Sequence, residues 1–178
     1  MNLIRICCGF AAAILISGHC HAANWDVVVN GKAFHINAQR DWNEDNWGIG
    51  LEREFGSHPR WIPFAVGNGF RDSMEHVSYM GGGGIKRRFR PGGWMRNMHL
   101  DIGLVGFVMR RQNISDGKPF PGLLPVLSIG NRKAALNLTY LPSSAVNSVA
   151  NKNIDPNMSG VLFLQAKFSM HYVLPGLR

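Results

Sequence analysis

Cysteine is absent beyond the first 20 residues, since Cys7, Cys8 and Cys20 are the only three in the chain of 178. Arg5, the apolar run Ile6–Ile16 and the small-x-small site Cys20-His21-Ala22 read as a secretory signal cut after Ala22. The mature chain, residues 23–178, then has no disulfide and no thiol nucleophile. Lipidation of Cys20 is disfavoured because His19, not a small residue, precedes it. Apart from that short leader no run approaches the roughly 18–20 apolar residues of a spanning helix. At 46% apolar and 17% charged the chain is too hydrophobic for disorder, and its length suits one domain. Metal and nucleotide signatures are missing too: there is no His-Glu-x-x-His, and Gly81–Gly84 lacks the Lys-Ser/Thr of a phosphate loop. No metal and no cofactor is expected.

Acidic side chains are also scarce, 11 against 19 basic, for a net charge of +8 of which Arg5 in the leader supplies one. The balance favours an anionic partner. The arginines are scattered among aromatics and glycines with no basic helix or RNA-binding motif, so nucleic acid is not expected and an anionic lipid surface fits better.

What is present is alternation. Strand-like runs separated by turn clusters fall at Val27–Ile36, Asn46–Phe55, Trp61–Arg71, His76–Phe89, Asn97–Arg111, Pro121–Gly130, Lys133–Pro142 and Ser159–Met170, with no amphipathic helix of ordinary length. Leu100, Ile102, Leu104 and Val108 share one face of the fifth run. Trp47, Ile49 and Leu51 oppose Gly48, Gly50, Glu52 and Glu54 in the second. Carboxylates facing lipid would be costly, so the polar faces turn inward. A soluble sandwich would alternate similarly. Short connections (56–60, 90–96, 131–132) alternating with mostly longer ones (37–45, 72–75, 112–120, 143–158) favour an all-β, eight-stranded antiparallel transmembrane barrel over about residues 27–170, with a tail over 171–178. Trp25, Trp42, Trp47, Trp61, Trp94, Tyr140 and Tyr172 sit mostly near strand ends, as interfacial girdles do.

On this map His35 ends the first strand and Asp72-Ser73 ends the third, all at the outer rim. An imidazole, a carboxylate and a hydroxyl are the groups acyl transfer needs: the histidine takes a hydroxyl proton and the carboxylate orients or stabilises the imidazolium. His58, His76, His99 and His171 compete for the histidine role.

Several local patterns resemble the PagP lipid A palmitoyltransferases of Gram-negative outer membranes. Asn43-Glu44-Asp45-Asn46-Trp47-Gly48-Ile49-Gly50 resembles the family's Asn-Glu-x-x-Trp-Gly-x-Gly. Phe70-Arg71-Asp72-Ser73 resembles Phe-x-Asp-Ser, and His35 stands where the family has its essential histidine. Pro119–Pro125, Thr139–Pro142 and Val161–Met170 resemble later segments, so the likeness covers about residues 27–170. The resemblance implies a monomeric enzyme, active at the outer leaflet, that moves a palmitoyl chain from a glycerophospholipid donor to a lipid A acceptor. It implies catalytic roles for His35, Asp72 and Ser73, an acyl-pocket floor at Gly84, and lateral lipid access beside Pro125 and Pro142. Arg71 is a candidate phosphate contact. Two other readings keep the fold: a non-enzymatic barrel, and a phospholipase or lipid hydrolase using the same rim with water as acceptor. The chain departs from the family's usual pattern where an amphipathic helix precedes the first strand, since only Ala23–Asp26 intervene after the expected cut.

Overall fold

A computed structural model describes residues 24–55, 60–150 and 155–173. The expected signal, residues 1–22, and the tail beyond Val173 lie outside the described residues. Eight strands run β1 (Asn24–Ile36), β2 (Asp45–Glu54), β3 (Trp61–Arg71), β4 (Val77–Phe89), β5 (His99–Arg110), β6 (Phe120–Gly130), β7 (Ala134–Pro142) and β8 (Gly160–Ser169). Each pairs antiparallel with the next, and β8 pairs with β1 to close a barrel. The eight expected strands are all present, with ends shifted by a few residues, and most of the expected turn 56–60 lies outside the described residues.

The side-chain period of two decides which face is which. Trp47 and Ile49 are 69% and 67% exposed, and Val77, Tyr79, Ile85, Ile102, Leu104, Val108 and Leu123 are exposed with them. Glu52, Asp101, Lys86 and Lys167 are buried inside. Apolar outside and charged inside is the inverse of a soluble sandwich, and it is the arrangement of a barrel whose solvent is lipid.

Inside, side chains fall into layers. The lowest is ionic. Lys86 Nζ lies 2.7 Å from Glu52 and 2.6 Å from Glu54, Lys167 Nζ is 2.7 Å from Glu52, and Arg88 grips Asp101 with two bonds of 2.8 and 2.7 Å. Above it Asn30 and Asn68 exchange amide bonds of 2.6 and 3.0 Å, and Gln165 donates to Asn30 at 2.6 Å. Such mutual pairing satisfies polar groups that burial would otherwise penalise. On the side formed by β3, β5 and β6 the interior is apolar, around Phe64, Val105, Leu124, Val66, Phe107 and Val126.

Two features depart from plain alternation. In β1 the register to both neighbours shifts at Gly31–Lys32. Before the bulge Asp26, Val28 and Asn30 are the inward residues; after it Ala33 is fully buried while Phe34 and Ile36 are exposed. One extra residue reverses the faces. The second departure is the helix Ser143–Ala150, in a segment expected to be loop. It is only eight residues long, and its polar Ser and Asn content gave little helical signal.

Candidate active site

The bulge determines where His35 points. Counting by twos from Asn30, position 35 belongs to the lipid face; with the bulge it is inward-facing, two residues beyond buried Ala33. Its imidazole stacks on Trp42, with ring centroids 5.3 Å apart and planes 13° apart. Its Nδ1 is buried with no hydrogen-bond partner. Arg40 lies 4.8 Å from the same Trp42 ring, holding the indole from the β1–β2 connection. The histidine is therefore held by stacking, with a ring nitrogen left uncommitted.

Asp72 and Ser73 occupy the tight turn between β3 and β4. Asp72 is 1% exposed. One carboxylate oxygen accepts the backbone N–H groups of Met74 (2.9 Å) and His76 (3.1 Å), and the other accepts Ser78 Oγ (2.8 Å) and Arg111 Nε (3.2 Å). An aspartate bonded to the N–H two residues on builds an Asx-type turn. It allows Glu75 to take the left-handed φ of 69° there. Burial opposes ionisation of Asp72, but Arg111, Ser78 and the two backbone N–H groups outweigh it and hold the carboxyl below its ordinary value. A carboxylate depressed in this way stabilises the turn above its unfolded value, about 3.9, and that stabilisation is lost as pH falls through the folded value. Asp72→Ala is expected to loosen the turn by about 2–3 kcal/mol, measured as faster amide exchange at Met74 and His76 at neutral pH. Acidification below about pH 4 should produce the same signature in the unmodified protein.

Asn43 joins the two halves of the rim. Its backbone N–H donates to the Ser73 carbonyl at 3.2 Å and its side-chain amide to the Asp72 carbonyl at 3.3 Å. Next to it Trp42 carries His35. Thus the His35 support and the Asp72-Ser73 turn are bonded through adjacent residues, and Asn46, which donates to the Arg71 carbonyl at 2.9 Å, braces the same junction. These asparagines lie in the Asn43–Gly50 pattern, where sequence marked the segment without showing its partners. Ser78 carried no signal of its own, and Trp42 stood out only as one of the aromatics near strand ends.

Arg71 reaches the rim with its guanidinium on Glu75, 3.2 Å away and exposed. Arg111, by contrast, is spent on Asp72.

Beneath the rim an apolar cavity of about 180 Å³ runs down to Phe64, with Phe107, Leu124, Leu141 and Phe163 along its walls and Ala145 and Val146 of the short helix lining it too. Gly84 pairs with Phe64. A Cβ at Gly84 would collide with the Leu104 carbonyl and lie 2.9 Å from the Phe64 ring. The room left by this glycine is occupied by Phe64, which is the residue that lines the cavity. Under Phe64 the Lys86 ammonium sits 5.0 Å from its ring, at the top of the ionic layer.

The wall of this cavity is discontinuous. β6 and β7 pair only over Leu127–Gly130 with Ala135–Leu138, whereas β6 stays in register with β5 up to Phe120 and β7 with β8 up to Pro142. From Val126 upward the two strands are unpaired. Pro125 stands on one side of that gap and Pro142 at the rim end of the other, where their missing N–H groups suit unpaired positions.

The fold and site define a small lipid-embedded barrel with an apolar cavity opening below a polar rim. The chain matches the family described as "Antimicrobial peptide resistance and lipid A acylation protein PagP" over residues 20–154. The protein named lipid A acyltransferase PagP of Bordetella pertussis strain Tohama I is 31% identical over 128 residues, covering 68% of this chain and 69% of that one. That of Salmonella typhimurium is 34% identical over 137 residues, covering 70% and 67%. Among solved structures, the Yersinia pestis outer membrane protein Ail aligns over 83% of this chain and 99% of that one, with a TM-score of 0.41 and 10% identity. The chain belongs to the PagP family.

Proposed function

We propose that this protein is an outer-membrane acyltransferase that moves an acyl chain of palmitoyl-like length from a glycerophospholipid to lipid A. The observation that carries the reading is an apolar cavity inside the barrel wall, unpaired at its β6–β7 flank, whose lining reaches Asn46 and Arg111 at the rim that carries His35, Asp72 and Ser73. Family membership and the names of the relatives support lipid A as the acceptor.

The donor's acyl chain slides between β6 and β7 past Pro125 and Pro142 into the cavity, which leaves its ester at the rim. A lipid A hydroxyl attacks the acyl carbon while His35 takes its proton. The new ester bond forms, the glycerol ester C–O bond breaks, and the proton passes to the departing glycerol oxygen to give a lysophospholipid. Ser73 takes part in proton transfer, or first receives the acyl group and then yields it to the acceptor. Asp72, with both oxygens engaged, positions the Ser73 turn and keeps Arg111 at the rim. Arg71 lies close enough to the surface to contact a phosphate by exchanging it for Glu75. The barrel closes on itself and acts as a monomer.

The test is to incubate the detergent-purified protein with labelled phosphatidylcholine and lipid A and to resolve the lipids by mass spectrometry. Lipid A heavier by one acyl chain with a matching lysophospholipid is expected. Fatty acid release without an acylated acceptor would instead support hydrolysis, and unchanged lipids a non-enzymatic barrel.

Phe64 sets the depth of the cavity in this reading, with Gly84 behind it. Phe64→Leu is expected to shift the preferred acyl chain toward longer homologues and Gly84→Ala, by pushing the ring upward, toward shorter ones. A single methylene in an apolar pocket discriminates by roughly tenfold or more, so the product masses should move clearly. An unchanged product profile in both variants would remove Phe64 from the floor.

A further inference from the structure

The chain's negative charges are unevenly placed. Asp41, Glu44, Asp45, Asp72, Glu75, Asp116 and Asp155 lie on the rim that carries His35, and the remaining four, Asp26, Glu52, Glu54 and Asp101, lie inside the barrel. The turns at the opposite end, residues 55–60, 90–98 and 131–133, hold no Asp or Glu, and neither does the chain after β8. They hold Arg60, Arg90, Arg96, Arg132 and Lys133.

Four of these cations surround a cavity. It measures about 930 Å³ and is lined by Arg90, Arg96, Arg132 and Lys133 with Asn97 and Asn131 as further donors. Its two acidic lining residues are already committed: Asp26 faces Lys167 at 3.5 Å, and Glu54 faces Lys86 at 2.6 Å and Arg88 at 2.9 Å. Arg88, deeper in the cup, is in turn neutralised by Asp101. Among the described residues no carboxylate lies within ion-pairing distance of the four cations at the mouth. The cup and the acyl cavity have no lining residue in common, because the ionic layer lies between them.

Inside the barrel four carboxylates (Asp26, Glu52, Glu54 and Asp101) face three cations (Lys86, Arg88 and Lys167), so the four cations at the mouth leave the cup and its floor net positive, and such a concave surface concentrates anions. Arginine forks match the paired oxygens of a phosphate, and the asparagine amides add neutral donors. We propose that this cup is a second binding site, for a phosphate-bearing ligand, at the end of the barrel opposite the catalytic rim. With the rim at the outer leaflet the cup opens to the periplasm. Its phosphate comes either from an anionic phospholipid headgroup of the inner leaflet or from a free phosphate compound. Outside the barrel at the same end, Arg53 lies over Trp25 and Phe55, and Arg87 over Trp61 and Phe89. Those two face the bilayer and serve as the control set.

The experiment uses the full chain in a non-ionic detergent. Binding of pyrophosphate is measured by calorimetry, and retention of phosphatidylglycerol against phosphatidylcholine by native mass spectrometry, for the unmodified protein, a variant carrying R90Q, R96Q, R132Q and K133Q, and a control carrying R53Q and R87Q. Saturable binding that weakens steeply with added salt is expected. It should fall about fivefold per cation removed, several-hundredfold in the fourfold variant, and persist in the control. Pyrophosphate binding alone assigns a free phosphate compound; selective retention of phosphatidylglycerol assigns the headgroup. The absence of saturable binding by either probe, or equal affinity in the fourfold variant, overturns the proposal. The salt series on the unmodified protein reads the same property with no variant at all. Because the readout is binding without turnover, its failure is separate from any failure of acyl transfer, which the fourfold variant is expected to retain.

Discussion

Replacing His35 with phenylalanine is expected to lower acyl transfer by about 10²–10⁴-fold, the usual share of a positioned proton-transfer group, with the barrel still folded. Phenylalanine keeps a flat ring against Trp42 and keeps the burial, so the 5.3 Å stack survives while the uncommitted Nδ1 is lost. The loss is therefore chemical and not structural. Initial rates with labelled phosphatidylcholine and lipid A read the activity, and thermal denaturation followed by circular dichroism reads the fold. Ser73→Ala should give a comparable loss, since Ser73 is buried and its turn is held by Asp72 and Asn43 through groups the substitution leaves in place. Full rates in both purified variants would place the chemistry elsewhere.

The second large effect is on stability, at Lys86. This side chain is 1% exposed, and its ammonium is shared among Glu52, Glu54 and, at 3.8 Å, Asp101. Lys86→Met keeps the length and apolar stem but strips a cation from three buried carboxylates. Lys167 then remains for Glu52, and Arg88 alone must serve Glu54 and Asp101. Removing one partner of a buried ionic cluster costs about 3–5 kcal/mol, which the midpoint of urea unfolding in detergent reads directly. Removing the carboxylates as well tests the cause. Lys86→Met combined with Glu52→Gln and Glu54→Gln should recover much of the loss, because the ions that remain, Arg88 with Asp101 and Lys167 with Asp26, balance in charge. A cost below about 1 kcal/mol for Lys86→Met alone would mean that water, and not lysine, neutralises the layer.

The two effects act on different levels of one structure. The ionic layer stiffens the barrel below Phe64, so the cavity ends at a fixed depth, while the rim above holds its groups by stacking and turn hydrogen bonds. Lys86 joins the ionic layer to the cavity floor through its contact with the Phe64 ring. A Lys86 variant that still folds should therefore also loosen acyl-length selection, whereas His35→Phe should leave it unchanged.

The sequence by itself determined the strands, the rim and the face exposed to lipid. A strand's alternation is local, so Trp47, Ile49 and Leu51 declared one face and Glu52 and Glu54 the other without knowledge of their neighbours. Counting eight such runs then put His35, Asp72 and Ser73 at the same end. Register is a relation between strands distant in sequence, and only the tertiary structure decided it. The shift at Gly31–Lys32 arises where β1 meets β2 and β8, and without it His35 would face the bilayer. The β6–β7 gap, the seating of Phe64 in the space left by Gly84, and the pairing of Lys86 with Glu52, 34 residues away, arise the same way. Asp72 shows the limit most clearly: its residue type suited a partner for the histidine, but the partners it found were Arg111, Ser78 and its own turn, because pairing of β3 with β4 and β4 with β5 brought Ser78 and Arg111 to one of its oxygens while the turn N–H groups took the other.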